Sequence, residues 1–297
     1  MSTLNNRIDF MAVISAKNAN PNGDPLFGNR PRIRFDQTGI ITDVCIKRKI
    51  RNRLQDMGEP ILYQSNDRAD DGKNNIRDRL LEIASINNAL MKPAKDESTD
   101  IAKLVCENFA DVRAFGAVIA LKSSKKKDDE SKSAVKGTSI GIRGAVTVQM
   151  AESVGEIEVN QDQITKSLNG DADEKDRSSD TMGMKYSIPF GCYVIRGSIN
   201  PIFAGKNGFT KEDAEKIKES LWTLFDNDES AARPAGSMNV ERLYWWEEDD
   251  ERNYSPREVF DTVKVGLKEG VTLPRSMDDI VIDDSVRLPG LEPEIRK

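Results

Sequence analysis

The 297-residue chain contains no histidine. Without imidazole there is no Ser-His-Asp or Cys-His nucleophile pair and no histidine-based acid–base catalysis. The H-E-x-x-H zinc motif and mixed Cys/His metal sites are excluded with it. Cysteine is scarce: Cys45, Cys106 and Cys192 are far apart, odd in number and form no C-x-x-C pair. They read as packing thiols, not as zinc ligands or a disulfide framework. No apolar run approaches about 18 residues, so there is no membrane-span pattern. The N-terminus lacks the basic-then-apolar pattern of a secretion signal, which points to a cytoplasmic location. Any enzyme here must run on carboxylates, lysine or a bound divalent cation. Apolar residues make up 37% and charged residues 32%. That balance suits a globular body with long polar excursions, or a subunit that spends surface on partners.

The stretch Ile8 to Arg53 organises the rest. Its first eight residues are apolar with scattered polar positions and β-branched Ile8, Val13 and Ile14, and read as a buried strand. N-A-N-P-N-G-D-P follows, a run of turn formers. Thr42 and Asp43 are good N-caps, and the helix beyond them places Ile46, Ile50 and Leu54 on a core face. Lys47, Arg48 and Arg51 share one flank of that helix. From Arg30 to Arg53 the positives are Arg30, Arg32, Arg34, Lys47, Arg48, Lys49, Arg51 and Arg53, and the negatives Asp36 and Asp43. Eight against two gives +6 inside a chain of net charge −6. Such an element suits a polyanion, because Lys and Arg gain affinity by releasing phosphate counterions. A solvated helix face balanced by acidic neighbours suits the pattern equally.

Further along, residues 61–105 have an irregular helical pattern. Ile76, Leu80, Leu81, Ile83, Ile86 and Leu90 form an apolar stripe at helical spacing, and Asp100 to Phe109 is a further short helix. Ala114 to Leu121 reads as a second buried strand and Ile140 to Met150 as a third. Between them lies K-S-S-K-K-K-D-D-E-S-K-S, a mobile loop by composition. Residues 153–187 read as strand, long polar excursion, strand: a protruding arm carrying Met182, Met184 and Lys185. Gly191 to Asn200 reads as another apolar strand. Thr210 caps a helix with Ala214, Ile217, Leu221 and Leu224 on one face. In Leu243-Tyr244-Trp245-Trp246 the adjacent indoles face opposite sides of a strand, which favours core over base stacking. The tail from Met277 is acidic, which argues against a phosphate path there. It could instead meet a basic patch on a neighbouring copy. Aspartate pairs at 128–129, 249–250 and 283–284 sit in polar, loop-like sequence, whereas catalytic cation sites need rigidly held carboxylates. Only Asp9 and Asp24 lie near expected strand ends, and the Asn-Gly-Asp-Pro turn explains Asp24. The glycines at 137, 141 and 144 are not followed by G-K-[ST], so they are not a phosphate loop.

N-P-N-G-D-P, the N-x-P-R-I turn and T-D-V-C-I-K-R-K-I-R-N closely resemble the start of the multi-copy, CRISPR RNA-binding backbone subunit of the type I-C Cascade complex, in the RAMP superfamily. The resemblance continues through D-V-R-A-F-G-A-V at 111–118, R-G-A-V-T-V at 143–148, D-T-M-G-M-K-Y-S-I-P-F-G at 180–191, S-A-A-R at 230–233 and F-D-T-V-K-V at 260–265. It is weakest in 60–105, 121–137 and after 266. It implies an α+β fold in a single domain over 1–297. That fold is a modified RRM or ferredoxin-like palm with a helical fingers insertion at about 58–110, a mobile loop at about 122–138 and a protruding thumb β-hairpin at about 153–187. The RRM stacking motif is absent, so binding is expected through the basic helix, loops and thumb, not through the sheet face.

The function implied is a non-catalytic scaffold, without metal or cofactor. It polymerises along the spacer of a CRISPR RNA and presents it to target DNA, while base pairing reads sequence. Its partners would be further copies of itself, the RNA 5′-end cap subunit and the large and small Cascade subunits. Expected RNA-binding residues are Asn20, Asn22, Arg30, Arg32 and Arg34 in the loops, and Lys47, Arg48 and Arg51 on the helix. Met182 and Lys185 would act from the thumb, where the resemblance implies an apolar wedge between nucleotides, with Arg143 and Arg233 besides. Two alternatives remain open: a divalent-metal-dependent ribonuclease of the same superfamily, and an RNA-independent filament subunit.

Overall fold

A computed structural model describes residues 2–91, 97–121, 138–165, 182–249 and 254–297. Strand β1 (Ile8–Ala19) leads into a short hairpin, β2 (Gly23–Asp24) and β3 (Arg30–Pro31), then β4 (Thr38–Ile41) and helix α1 (Asp43–Asp56). Helices α2 (Ile76–Glu82), α3 (Ala84–Met91), α4 (Glu97–Asn108) and α5 (Ala110–Phe115) precede β5 (Gly116–Leu121) and β6 (Thr138–Arg143). Next come β7 (Val146–Val148), β8 (Ala151–Glu156), β9 (Asn160–Thr165) and β10 (Met182–Ile199). Helices α6 (Pro201–Asn207) and α7 (Lys211–Trp222), strand β11 (Met238–Glu247) and helix α8 (Pro256–Phe260) follow, then β12 (Lys264–Leu267), β13 (Ile280–Asp283) and β14 (Glu294–Arg296).

An eight-stranded antiparallel sheet runs β14-β11-β1-β10-β8-β4, with β7 and β9 also paired to β10. Strand alternation sends Phe10, Ala12 and Ile14 to one face and Met11 and Val13 to the other, and both faces are buried. That is why residues 10–14 read as a continuous apolar run. On the first face pack Ile46, Ile50 and Leu54 of α1 and Ala214, Ile217 and Leu221 of α7. The Thr42 hydroxyl accepts from the Cys45 amide at 3.3 Å, and Thr210 with Asp213 forms a capping box on α7. Val259, Phe260, Val263, Ile280 and Leu291 cover the second face. Both indoles are core: Trp245 stacks on Phe10 on the first face and Trp246 on Tyr244 on the second, each at 5.7 Å.

Four expectations need correction. β5 and β6 pair only with each other, and pack with α2, α3 and α4 around a second core containing Leu62, Leu80, Ile86, Val105, Phe109, Ile119 and Ile140. They are not strands of the main sheet. The Ile140–Met150 stretch is therefore two strands, split after Arg143, where Gly144 lies so close to Ala114 and Phe115 that a Cβ would sit 2.3 Å from their backbone. Ala114 and Phe115 close helix α5 and do not begin the strand. Finally, the arm strand and the apolar Gly191–Asn200 strand are one element, β10, 18 residues long. The polar runs expected as loop 122–138 and as the tip of the arm fall almost wholly outside the described residues.

The centre of the sheet leaves no spare volume. A Cβ on Gly197 of β10 would meet Phe10 Cζ at 2.2 Å and the Thr147 carbonyl at 2.4 Å. Gly197→Ala is expected to cost about 1–3 kcal/mol by overpacking, measured as a lower urea midpoint at unchanged slope.

Candidate nucleic-acid interface

Most of the basic stretch is spent inside the chain. Lys49 is buried and pairs with Asp228, beside the ring of Phe225. Burial lowers its pKa, with Asp228 pulling the other way. Arg51 donates to the fully buried Asp111 at 3.0 Å and lies over the rings of Tyr63 and Phe115. Arg48 donates to the Tyr63 carbonyl, and burial, then repulsion from Arg51, lowers its pKa. Arg53 pairs with Asp56 at 2.8 Å, Arg32 with Asp24 at 2.9 Å, Arg34 with Glu152, and Arg233 with Asp228 at 2.8 Å. Helix α1 is thus no open phosphate track. Arg48 and Arg51 brace the helix to the second core. Lys47 alone of the three keeps an easily exchanged partner, Asp43 one turn away at 2.9 Å.

The asparagines of the N-terminal motif also face inward. Asn20 is buried and donates to the Asn29 carbonyl at 2.6 Å. Asn22 accepts from the amide and hydroxyl of Thr42, at 3.0 and 3.1 Å, tying the loop to the start of α1. Asp24 accepts from the Leu26 amide at 3.1 Å and caps a 3-10 turn over Pro25–Phe27. Their role in the structure is to shape the loop.

Cations gather at the junction of the two cores. Lys47, Phe115, Val118, Arg143, Val146 and Thr147 line a groove of 440 Å³. Arg143 also lines an adjoining hollow of 320 Å³ with Lys103, Phe203, Lys206 and Asn207. The Arg143 guanidinium lies 4.2 Å from the centre of the Phe203 ring, and the Lys206 ammonium 5.8 Å from it. Neither has an ion-pair partner among the described residues. The sequence reading missed Lys206 and Phe203; their i, i+3 spacing on a helix opened by Asn200-Pro201 was the available signal.

The arm rises from the sheet as a two-stranded stem, β9 with the first six residues of β10. Its register pairs Met182 with Thr165, Met184 with Gln163, Lys185 with Asp162 and Tyr186 with Gln161. Directly opposed residues share a face. Met182, Met184 and Tyr186 therefore line one face, and Ile164 and Lys185 the other. Met182 is 66% exposed and Met184 42%. Met182 and Lys185, both expected to act from the arm, lie on its opposite faces.

Of the carboxylates weighed for catalysis, Asp283 accepts from Ser285, and Asp284 from the Tyr244 hydroxyl at 2.9 Å and from Arg242. In the same tail Glu294 accepts from Lys218 at 2.6 Å. These acids have hydrogen-bond partners within the chain. Asp9 is buried, held by Arg7 at 3.1 Å and by Ser198. No group of three or more Cys, Asp and Glu able to hold a metal occurs among the described residues. Burial pushes the Cys106 thiol up to about 11 and the Cys192 thiol up to about 12. Burial, then Asp9, raises the carboxyl of Glu248 to about 6. The folded chain then holds this proton more tightly than the unfolded chain does. Stability is lost as pH rises from 4.5 through about 6 and stays lower above. Glu248→Gln is expected to gain about 1 kcal/mol near neutral pH and nothing near pH 4, read from thermal unfolding at both.

The class is a mixed α/β protein built on one large antiparallel sheet, with unpaired cations and exposed methionines at its periphery. The chain belongs to the CRISPR-associated protein Cas7 family, whose model matches residues 6–285. It is 27% identical over 299 residues to the CRISPR-associated protein Cas7 of Haloferax volcanii, covering 98% of this chain and 84% of that one. Among solved structures it is similar to a chain of a CRISPR RNA-guided surveillance complex, pre-nicking, at TM-score 0.49 and 14% identity over 89% of this chain and 83% of that one. A chain of a second CRISPR RNA-guided surveillance complex matches at TM-score 0.42 and 15% identity, over 90% and 78% respectively. No helix among the described residues is long and apolar enough to cross a membrane.

Proposed function

We propose that this chain is the backbone subunit of a type I-C CRISPR RNA-guided complex, a non-catalytic scaffold whose copies line up along the spacer of the guide RNA. Along the chain, β1-α1-β7/β8-β10-α7-β11 gives the spatial order β11-β1-β10-β7/β8, which we read as a ferredoxin-like, RRM-type palm. The second core is its fingers and the β9–β10 stem its thumb. Because the C-terminal elements cover the second sheet face, the RNA runs along the periphery. Lys47, Arg143 and Lys206 hold phosphates at the palm–fingers junction, and Lys185 does so beside the thumb. The methionine face of the stem wedges between bases. The guide then pairs with target DNA, and the remaining Cascade subunits cap and flank the array.

The observation that carries this reading is the stem: a two-stranded extension, exposed along β9, that presents Met182 and Met184 on one face. An enzyme needs no such feature, whereas a protein that segments single-stranded RNA does. The test is the absorbance ratio and mass of the purified chain before and after ribonuclease. A large RNA-loaded assembly that shrinks on digestion is expected. Lys47→Glu with Arg143→Glu should reduce the salt slope of RNA binding by about 1.4, two single-strand phosphate contacts' worth. An assembly free of RNA and indifferent to ribonuclease would instead favour the filament reading.

A further inference from the structure

Arg30, in the most basic part of the sequence, borders a hollow of 470 Å³ beside Phe27, Arg32 and Met150. Its guanidinium sits over the ring of Tyr186, 5.4 Å from the centroid. Tyr186 belongs to the base of the stem, two residues below Met184 on the same face. The loop that carries Arg30 is unusually constrained. Gly28 and Asn29 both adopt left-handed backbone conformations, at φ 63° and 64°. The Asn29 amide donates to the Asp24 carbonyl at 2.8 Å, and its carbonyl accepts from buried Asn20 at 2.6 Å. Strands β2 and β3 pair Asp24 with Arg30. Gly28 passes close enough to Tyr186 that a Cβ there would lie 3.8 Å from the ring. The chain thus builds a rigid hairpin whose outermost cation rests on one aromatic of an otherwise exposed stem.

We infer that Arg30 is a positioning residue: through its contact with Tyr186 it fixes the angle at which the stem, and with it the methionine face, leaves the sheet. The N-P-N-G-D-P loop then serves the thumb and not a phosphate. This rests on the proposed RNA reading only for its consequence; the contact itself is tested without RNA. A cation on an exposed ring contributes modestly, so loss of either partner should speed amide hydrogen exchange in 160–165 and 182–187 about threefold in the ribonuclease-treated full chain.

Arg30→Ala and Tyr186→Leu should do this equally, the double variant no more than either, and Tyr186→Phe should match wild type, because the ring and not the hydroxyl is used. In parallel, the salt slope of binding to a single-stranded RNA should be unchanged in Arg30→Ala, whereas a lost phosphate contact would lower it by about 0.7. Unchanged stem exchange in Arg30→Ala, or additive effects in the double variant, would overturn the positioning role. A wild-type chain that binds no RNA would overturn the scaffold reading instead, and leave the exchange result to decide the role of Arg30 on its own.

Discussion

Asp111→Ala should lower the unfolding free energy by about 3–5 kcal/mol, the loss measured when a buried ion pair is deprived of one partner. Asp111 is 0% exposed. Its carboxylate accepts from the amide of Leu62 at 2.8 Å and of Tyr63 at 3.3 Å, and from Arg51 Nε at 3.0 Å. Removing it strands a guanidinium between the rings of Tyr63 and Phe115 and orphans a buried and a half-buried amide at once. Asp111→Asn should cost less, since an amide oxygen can still accept from Leu62. Urea unfolding of both variants checks the order, and a loss below about 1 kcal/mol for the alanine would sink the bracing role. The same geometry governs how mutations on α1 are read. Arg51→Glu would put two carboxylates in one buried site, so any loss of RNA from that variant would report unfolding at the junction of the two cores. Lys47 and Arg143 are the variants that isolate phosphate contact.

Local features of the sequence translated well. The caps at Thr42 and Thr210, the core stripe Ile46, Ile50 and Leu54, and the opposite facing of Trp245 and Trp246 depend on spacing within one element, and spacing is what a sequence displays. Electrostatic partners did not. The basic stretch is neutralised by Asp111, Asp226 and Asp228, and Asp228 lies 179 residues from the lysine it pairs with. A count of charges cannot see contacts made at that distance. Strand membership was likewise out of reach, because alternation in Ile140 to Met150 tells which residues share a face but not which sheet they join. The faces of the stem required the β9–β10 register, which spacing within either strand alone does not display.

Replacing Met182 and Met184 together by serine should weaken binding to single-stranded RNA about tenfold per copy, the scale of one lost base-stacking contact. Both side chains project from the same face of the stem, they are exposed in the folded chain, and the core of the main sheet lies elsewhere. The substitution therefore removes apolar contact with a ligand without opening a cavity, and the unfolding midpoint should hold. Ile164 supplies the matched control. It is 51% exposed and belongs to the same stem, but opposes Gly183 and so points away from the methionines. Ile164→Ser should leave affinity within about twofold, a surface change away from the contact. If it costs as much as the methionine pair, the stem grips RNA from both sides and the one-faced wedge is wrong. If neither matters, the thumb makes no contact with bases, and affinity comes from the Lys47, Arg143 and Lys206 groove alone. A wedge that acts by unstacking should also brighten 2-aminopurine at one position in each repeating segment of the RNA, and the methionine variant should lose that signal even at saturating protein.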